Sequence, residues 1–132
     1  MITREELFEI PAMFDRINEK KARRERLQDK ATSPPGTNND ERVQTSKKPD
    51  KMTDIAVLVC DLDNEIEEDE RELAELRRKA ESLFNIVDGI NREILVLRYA
   101  EGETWDEIGE TVGYSERHVR RIHLNIIRTI YG

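Results

Sequence analysis

The chain has 132 residues and a net charge of −7, and 39% of its residues are charged while only 5% are aromatic. This composition is too polar for a large compact core and favours long helices with narrow apolar seams beside one small globular unit. No apolar run approaches the ~20 residues that cross a bilayer, and the N-terminus lacks the basic-then-apolar order of a signal peptide. We therefore expect a cytoplasmic protein that has no membrane partner.

The single cysteine, Cys60, excludes an intramolecular disulfide and a cysteine metal cluster. It lies beside an apolar helical seam, so we expect a packed or half-exposed thiol.

Residues 1–31 are predicted to form an N-terminal helix. Thr3 followed three residues later by Glu6 is a capping-box pattern. Pro11 is expected to kink this helix or to restart it, because proline cannot donate the hydrogen bond of an interior residue. Residues 32–51 hold three of the four prolines and no apolar periodicity, which predicts a flexible linker.

Residues 52–87 are predicted to form an acidic coiled-coil helix. Asp69 occupies one seam position and is a candidate for fixing the register of the pairing, or for marking where the pairing ends. Such a seam must be covered, either by the N-terminal helix folding back as an antiparallel hairpin or by a second copy. We expect the hairpin together with homo-oligomerisation through the coiled coil. The other seam residues alternate in steps of four and three, which is the heptad spacing: Ile55, Val59, Leu62, Ile66, Leu73, Leu76, Ala80, Leu83 and Val87.

Residues 88–132 are predicted to form a three-helix unit. Asp88-Gly89 interrupts the long helix, and a supporting helix runs from about Ile90 to Ala100. The predicted fold class is therefore all-α, a long coiled-coil helical hairpin followed by a C-terminal three-helix unit that contains a helix-turn-helix.

The helix-turn-helix is predicted from its caps. Thr104 is an N-cap whose capping box is completed by Glu107, and the helix that it starts runs from Trp105 to about Val112. Gly113 can take the left-handed conformation past that helix, and Ser115 is the N-cap of the next one. This spacing is typical of two helices joined by a tight turn.

The last helix is predicted to be amphipathic, with Val119, Ile122, Ile126 and Ile130 turned inward. Residues 115–132 hold four arginines and one glutamate, a local charge of +3, whereas residues 61–81 carry −6. A basic face on such a helix is typical of a recognition helix that contacts bases and phosphates of double-stranded DNA. Both histidines, His118 and His123, are expected at the surface. The predicted outward face comprises Glu116, Arg117, His118, Arg120, Arg121 and Arg128.

The C-terminal third of the chain resembles the fourth region of bacterial primary-type sigma factors, which reads the −35 promoter element. The rest of the chain resembles small phage and prophage proteins of Gram-positive bacteria that are described as sigma-region-four-like transcriptional regulators. The family pattern is a leucine-rich helix ending L-R-Y, a short acidic-glycine loop and T-x-x-E-I-G-x-x-x-G-x-S-x-x-x-V-x-x-I. It matches Leu97, Arg98, Tyr99, Thr104, Glu107, Ile108, Gly109, Gly113, Ser115, Val119 and Ile122.

The resemblance implies a DNA-binding regulator that reads the major groove with the helix starting at Ser115. Base contacts are carried over to four residues in the first turns of that helix, since arginine can pair with guanine and glutamate can accept from cytosine. The segments of sigma factors that bind the −10 element and the polymerase clamp have no counterpart here, so the chain is not expected to be a complete sigma factor. It is expected to bind DNA alone or to contact RNA polymerase through the face that region four uses, which makes the polymerase a further candidate partner. The predicted DNA-binding residues are Thr104, Trp105, Ser115, Glu116, Arg117, His118, Arg120 and Arg121.

No catalytic, cofactor or metal-binding motif is present in the sequence, so we expect no enzyme activity, no cofactor and no metal. Two other functions fit the same pattern. A small terminase-like DNA-packaging protein also joins a helix-turn-helix to an oligomerising helix. A protein-binding adaptor can use a degenerate helix-turn-helix.

Overall fold

The computed structural model describes residues 1–32 and 50–132, and these contain helices and no β-strand. The predicted all-α class, a long helical pair followed by a helix-turn-helix unit, is confirmed. The predicted linker, residues 32–51, falls mainly on positions outside the described residues. The helices are α1 (Arg4–Ala31), α2 (Asp50–Phe84), α3 (Gly89–Leu95), α4 (Trp105–Val112) and α5 (Glu116–Tyr131), and a π-helical turn, Val96–Ala100, follows α3.

The chain divides into two compact units, one made of Met1–Asp15 with Arg71–Gly132 and the other of Arg16–Glu70. Each unit therefore holds part of α1 and part of α2. The N-terminal residues belong to the same unit as the helix-turn-helix, a grouping that no local sequence pattern indicates. The division predicted at residues 31, 51 and 87 follows elements along the chain and stays a prediction.

Helix α1 begins with the predicted capping box, because the Thr3 N–H donates to Glu6 Oε1 at 3.0 Å and the Glu6 N–H donates to Thr3 Oγ1 at 3.1 Å. The predicted restart at Pro11 is wrong, since one helix runs from Arg4 to Ala31, and the alternative, a kink at Pro11, stays a prediction. Proline inside a helix costs about 3 kcal/mol through its missing N–H and its ring. Burial of Leu7 and Ile10, both 0% exposed, on the inner side of the same helix offsets that cost.

In the unit Arg16–Glu70, α1 and α2 are antiparallel. Ile17, Leu62 and Ile66 are buried between charged flanks. Asp69 is buried and accepts a hydrogen bond from Lys20 Nζ at 2.8 Å, and this bond is the main reason that the pKa of Asp69 lies below its ordinary value. Arg16 lies 3.4 Å from the same carboxylate. Two cationic partners across the pair favour a register role for Asp69 over an end of the pairing.

Cys60 is an exposed free cysteine, so of the two predicted states, a packed or a half-exposed thiol, the packed one is wrong. It lies two residues before the buried Leu62, and two residues on a helix are separated by about half a turn. None of the helices in the described residues has the length and apolar character that a membrane span requires.

In the other unit, the N-terminal residues pack with the C-terminal helices. Ile2 is buried, and the Tyr131 hydroxyl donates to its carbonyl oxygen at 2.9 Å. Lys79 Nζ lies 2.7 Å from Glu6 Oε2, and the Arg77 guanidinium lies 5.9 Å from the ring centre of Phe14, so α1 and α2 run in opposite directions here as well. The ring of Phe14 lies against Gly102, where an added Cβ would stand 2.8 Å from the ring.

The supporting helix has its predicted bounds, about Ile90 to Ala100, but the helix before it and its own last turn differ from the prediction. Helix α2 ends at Phe84, earlier than the predicted 87, and α3 begins at Gly89. The predicted continuous helix to Ala100 changes into a π-helical turn, in which the Glu101 N–H donates to the Val96 carbonyl at 3.0 Å. The wider turn buries Tyr99, which is 1% exposed.

Candidate nucleic-acid interface

The orientation of α5 is set by a core with one buried residue from each of three helices, Ile94, Ile108 and Val119. Each is 0% exposed, so these helices cannot rotate without uncovering apolar surface. Partly buried residues complete the cluster: Ile90, Leu97, Trp105, Val112 and Ile122. The predicted inward stripe of the last helix is thereby confirmed for Val119 and Ile122.

Both predicted caps are confirmed. The Thr104 N–H donates to Glu107 Oε1 at 2.8 Å, and the Glu107 N–H donates to Thr104 Oγ1 at 3.2 Å. Gly113 ends α4 with φ of 81°, in the left-handed region that glycine enters without steric cost. Ser115 Oγ then accepts from the His118 N–H at 3.1 Å and starts α5. The turn between the two helices is therefore specified by local chemistry.

Gly109 lies directly against the turn that joins the two helices of the motif. Its carbonyl accepts from the Gly113 N–H at 2.8 Å and from the Tyr114 N–H at 2.9 Å. A Cβ at position 109 would stand 2.6 Å from the Tyr114 carbonyl oxygen, a backbone atom that cannot rotate away. The turn therefore requires glycine on α4 as well as at its end.

Gly109→Ala is expected to destabilise the protein by about 1–3 kcal/mol, because overpacking against the backbone outweighs the better helix propensity of alanine. Thermal unfolding followed by circular dichroism measures the loss. Glu110→Ala, at the next and exposed position of the same helix, is the matched control and should leave the midpoint nearly unchanged. A stabilised Gly109→Ala chain would contradict the close approach.

The predicted base-contacting residues share one exposed stretch of α5. Glu116, Arg117, Arg120 and Arg121 are all exposed, as is His118 beside them. Arg120 Nη2 lies 2.8 Å from Glu116 Oε2, so these two residues form an ion pair along the helix. Arg117 and Arg121 have no such partner among the described residues. Of the predicted residues before α5, Thr104 and Ser115 are exposed as well, at the starts of α4 and α5.

Trp105, in contrast, has a structural role. The Arg98 guanidinium lies 4.2 Å above its ring, and the Arg120 guanidinium is 5.7 Å from the ring centre. The His123 ring meets it edge-on at 4.7 Å. Contact of Trp105 with DNA stays a prediction, but its indole already joins the supporting turn, α4 and α5.

His123 was predicted at the surface, and this is wrong, because the side chain is only 9% exposed. Its Nε2 lies 2.6 Å from the Tyr99 hydroxyl, and its ring centre is 6.4 Å from that of Phe8. Burial lowers the pKa of His123 to about 4 and raises the pKa of Tyr99. With the imidazole neutral, the Tyr99 hydroxyl can donate to Nε2. The spacing of four from Val119 and three from Ile126 was a signal for the inward side.

The burial of His123 predicts acid sensitivity. Unfolded His123 takes up a proton below about pH 6.5, whereas the folded side chain takes it up only near pH 4. The unfolded state therefore binds more protons in this window, and up to about 3 kcal/mol of stability is lost as the pH falls from 6.5 to 4. Urea unfolding at several pH values measures the slope. His123→Gln, which cannot titrate, should have the shallower dependence, and equal slopes would contradict the assignment.

The outward line of α5 includes residues that the sequence reasoning did not select. Arg117, Arg121, Leu124 and Arg128 follow one another in steps of four, three and four, and all are exposed. Leu124 is 47% exposed between two arginines. Tyr114, in the turn, is 40% exposed with its ring centre 4.6 Å from that of His118. The helical spacing of apolar residues identifies the buried side of a helix, but it does not indicate single exposed apolar side chains such as Leu124 and Tyr114.

Among residues 1–32 and 50–132, no cluster of histidine, cysteine and acidic side chains is suited to hold a metal ion. No curated protein and no solved structure is significantly similar to the chain. The family model described as Sigma-70, region 4, matches residues 86–131, about a third of the chain. This segment runs from just after α2 to the end of α5, and its helix-turn-helix is therefore similar to sigma-70 region 4.

Proposed function

We propose that the protein is a sequence-specific, DNA-binding transcriptional regulator of phage type that reads the major groove with α5. The observation that carries this proposal is the exposed arginine face of α5, opposite the buried Val119 and Ile126. The match of residues 86–131 to sigma-70 region 4 supports it independently. A helix about 10–12 Å across fits the major groove, whose width is about 12 Å.

The residues have different roles in this proposal. Arg117 and Arg121, which have no ion-pair partner among the described residues, read guanine through paired hydrogen bonds. Glu116 accepts from cytosine, and Arg120 is ordered for contact by its bond to Glu116. His118, Ser115, Thr104 and Trp105 contact the phosphate backbone at the starts of the two helices.

The charge distribution supports recognition of particular sites over uniform binding. The +3 of residues 115–132 is set against −7 for the whole chain, so few phosphates can be neutralised. Non-specific affinity grows with the number of neutralised phosphates. Most of the discrimination therefore has to come from base contacts of α5.

The test is capture of fragmented genomic DNA by the full-length chain at moderate salt, read by sequencing. We expect enrichment of fragments that share one short sequence. An Arg117→Glu, Arg121→Glu chain is the control and should capture no common sequence, because its recognition face is reversed in charge. Equal recovery of all fragments by both chains would overturn the proposal.

A protein-binding adaptor, with RNA polymerase as the candidate partner, is the second function. The exposed Leu124 and Tyr114 beside the arginines favour it, because such side chains are typical of protein contacts. Binding of purified polymerase that survives the Arg117→Glu, Arg121→Glu change, without DNA binding by the parent chain, would favour the adaptor.

The proposal includes self-association through the long helices. A regulator is expected to form a dimer on paired half-sites, whereas a ring of many copies would instead favour a packaging role.

A further inference from the structure

The first part of α2 exposes apolar side chains on the side away from α1. Val57 is 53% exposed and Leu58 is 43% exposed. Eight of the eleven residues from Met52 to Leu62 are apolar, so the apolar side chains extend beyond the side that faces α1. Ile55 and Leu62 are buried, whereas Val57 and Leu58 form an exposed apolar patch.

The outer side of α1 in the same unit is basic. Arg23, Arg26 and Lys30 are exposed and follow one another in steps of three and four, so they form one basic strip. None of them makes an ion pair with a residue of the described ranges. The charges on the inner side, in contrast, are paired, as Arg24 is with Asp63.

An acidic strip of equal length borders the apolar patch on α2. Asp54 and Asp61 are exposed on either side of Val57 and Leu58, and neither has an ion-pair partner within the described part of the chain. Asp54 and Asp61 are seven residues apart, as are Arg23 and Lys30, which is about 10 Å along each helix. The two strips are therefore complementary in charge and in length.

We propose that a second copy of this chain covers the apolar patch, with the acidic strip of α2 on the basic strip of α1 of the other copy. A two-fold axis repeats the contact, as in most homodimers. Val57 and Leu58 pack on the aliphatic stems of Arg23 and Arg26. Pairing of α2 with α2 is less favourable, since it brings aspartates of both copies together.

This inference specifies the surface of the self-association proposed above. It is tested by sedimentation of the full-length chain over a range of concentrations. Asp61→Lys is expected to raise the dimer dissociation constant roughly tenfold, because each of two symmetric contacts loses an attraction and gains a repulsion. Arg26→Glu should do the same, and the chain that carries both changes should regain the affinity of the parent.

Glu81→Lys, an equal charge change at an exposed position of α2 outside the patch, is the control and should leave the dimer unchanged. A monomeric parent chain overturns the inference, as does a dimer insensitive to Asp61→Lys. Failure of the combined change to restore association overturns the pairing of α2 with α1. The parent and variant chains are also tested in the genomic-fragment assay, which separates the two proposals. A parent chain that forms the dimer but captures no common DNA sequence contradicts the proposed function and leaves the dimer surface in place.

Discussion

Leu7→Ala is expected to destabilise the helix-turn-helix unit by about 2–5 kcal/mol, the usual cost of deleting a fully buried leucine side chain. Leu7 is 0% exposed and belongs to the unit that also contains residues 71–132. The Tyr131 hydroxyl bond to the Ile2 carbonyl and the approach of Phe8 to His123 connect this N-terminal segment to α5. The loss of stability caused by a change near the N-terminus should therefore be detected in the C-terminal helices.

Trp105 gives a direct measurement, because it is the only tryptophan in the chain and lies in α4. Urea unfolding followed by its fluorescence should shift to lower urea in Leu7→Ala. The control is Glu5→Ala, an exposed position of the same helical turn, which should leave the midpoint in place. An unchanged Trp105 transition in Leu7→Ala would show that the N-terminal segment does not stabilise the DNA-binding segment.

Local signals in the sequence were sufficient to predict the helices and the turn of the helix-turn-helix. The capping boxes, Gly113 and Ser115 act over three or four residues, so their consequences can be deduced from spacing alone. The seam of α2 was also predictable, because the heptad period directly describes one buried side. Asp69, the charged residue in that seam, was also recognisable from the sequence as a candidate for fixing the register of the pairing.

Long-range packing was not predictable in this way. The sequence does not indicate that Ile2 and Phe8 belong with α5, because this pairing joins opposite ends of the chain. The continuous helix through Pro11 also depends on tertiary burial that overrides a local penalty. His123 was misjudged because a polar side chain on the inward stripe needs a partner, and Tyr99 is supplied by the π-helical turn.

The double change Arg117→Ala, Arg121→Ala is expected to have the largest effect on DNA binding. Each arginine that pairs with a guanine contributes about 1–3 kcal/mol of discrimination. Both side chains are exposed on the outward line of α5 and make no ion pair with a described residue, so their removal costs nothing in folding. Affinity for the cognate site should fall by about 2–6 kcal/mol in total, with a relaxed preference at the contacted base pairs.

Arg120→Ala differs in a way that the geometry predicts. Arg120 is bonded to Glu116 and lies near the Trp105 ring, so its loss leaves the Glu116 carboxylate uncompensated beside the phosphates. We expect weaker binding to every sequence together with a small loss of stability.

Gel-shift titrations on cognate and scrambled duplexes distinguish the loss of sequence preference expected for the double change from the uniform weakening expected for Arg120→Ala. Arg128→Ala, four residues past Leu124 on the same line, is the control for a distant charge and should alter only the salt dependence. If the double change weakens both duplexes equally, Arg117 and Arg121 contact phosphates, and base recognition by α5 is refuted.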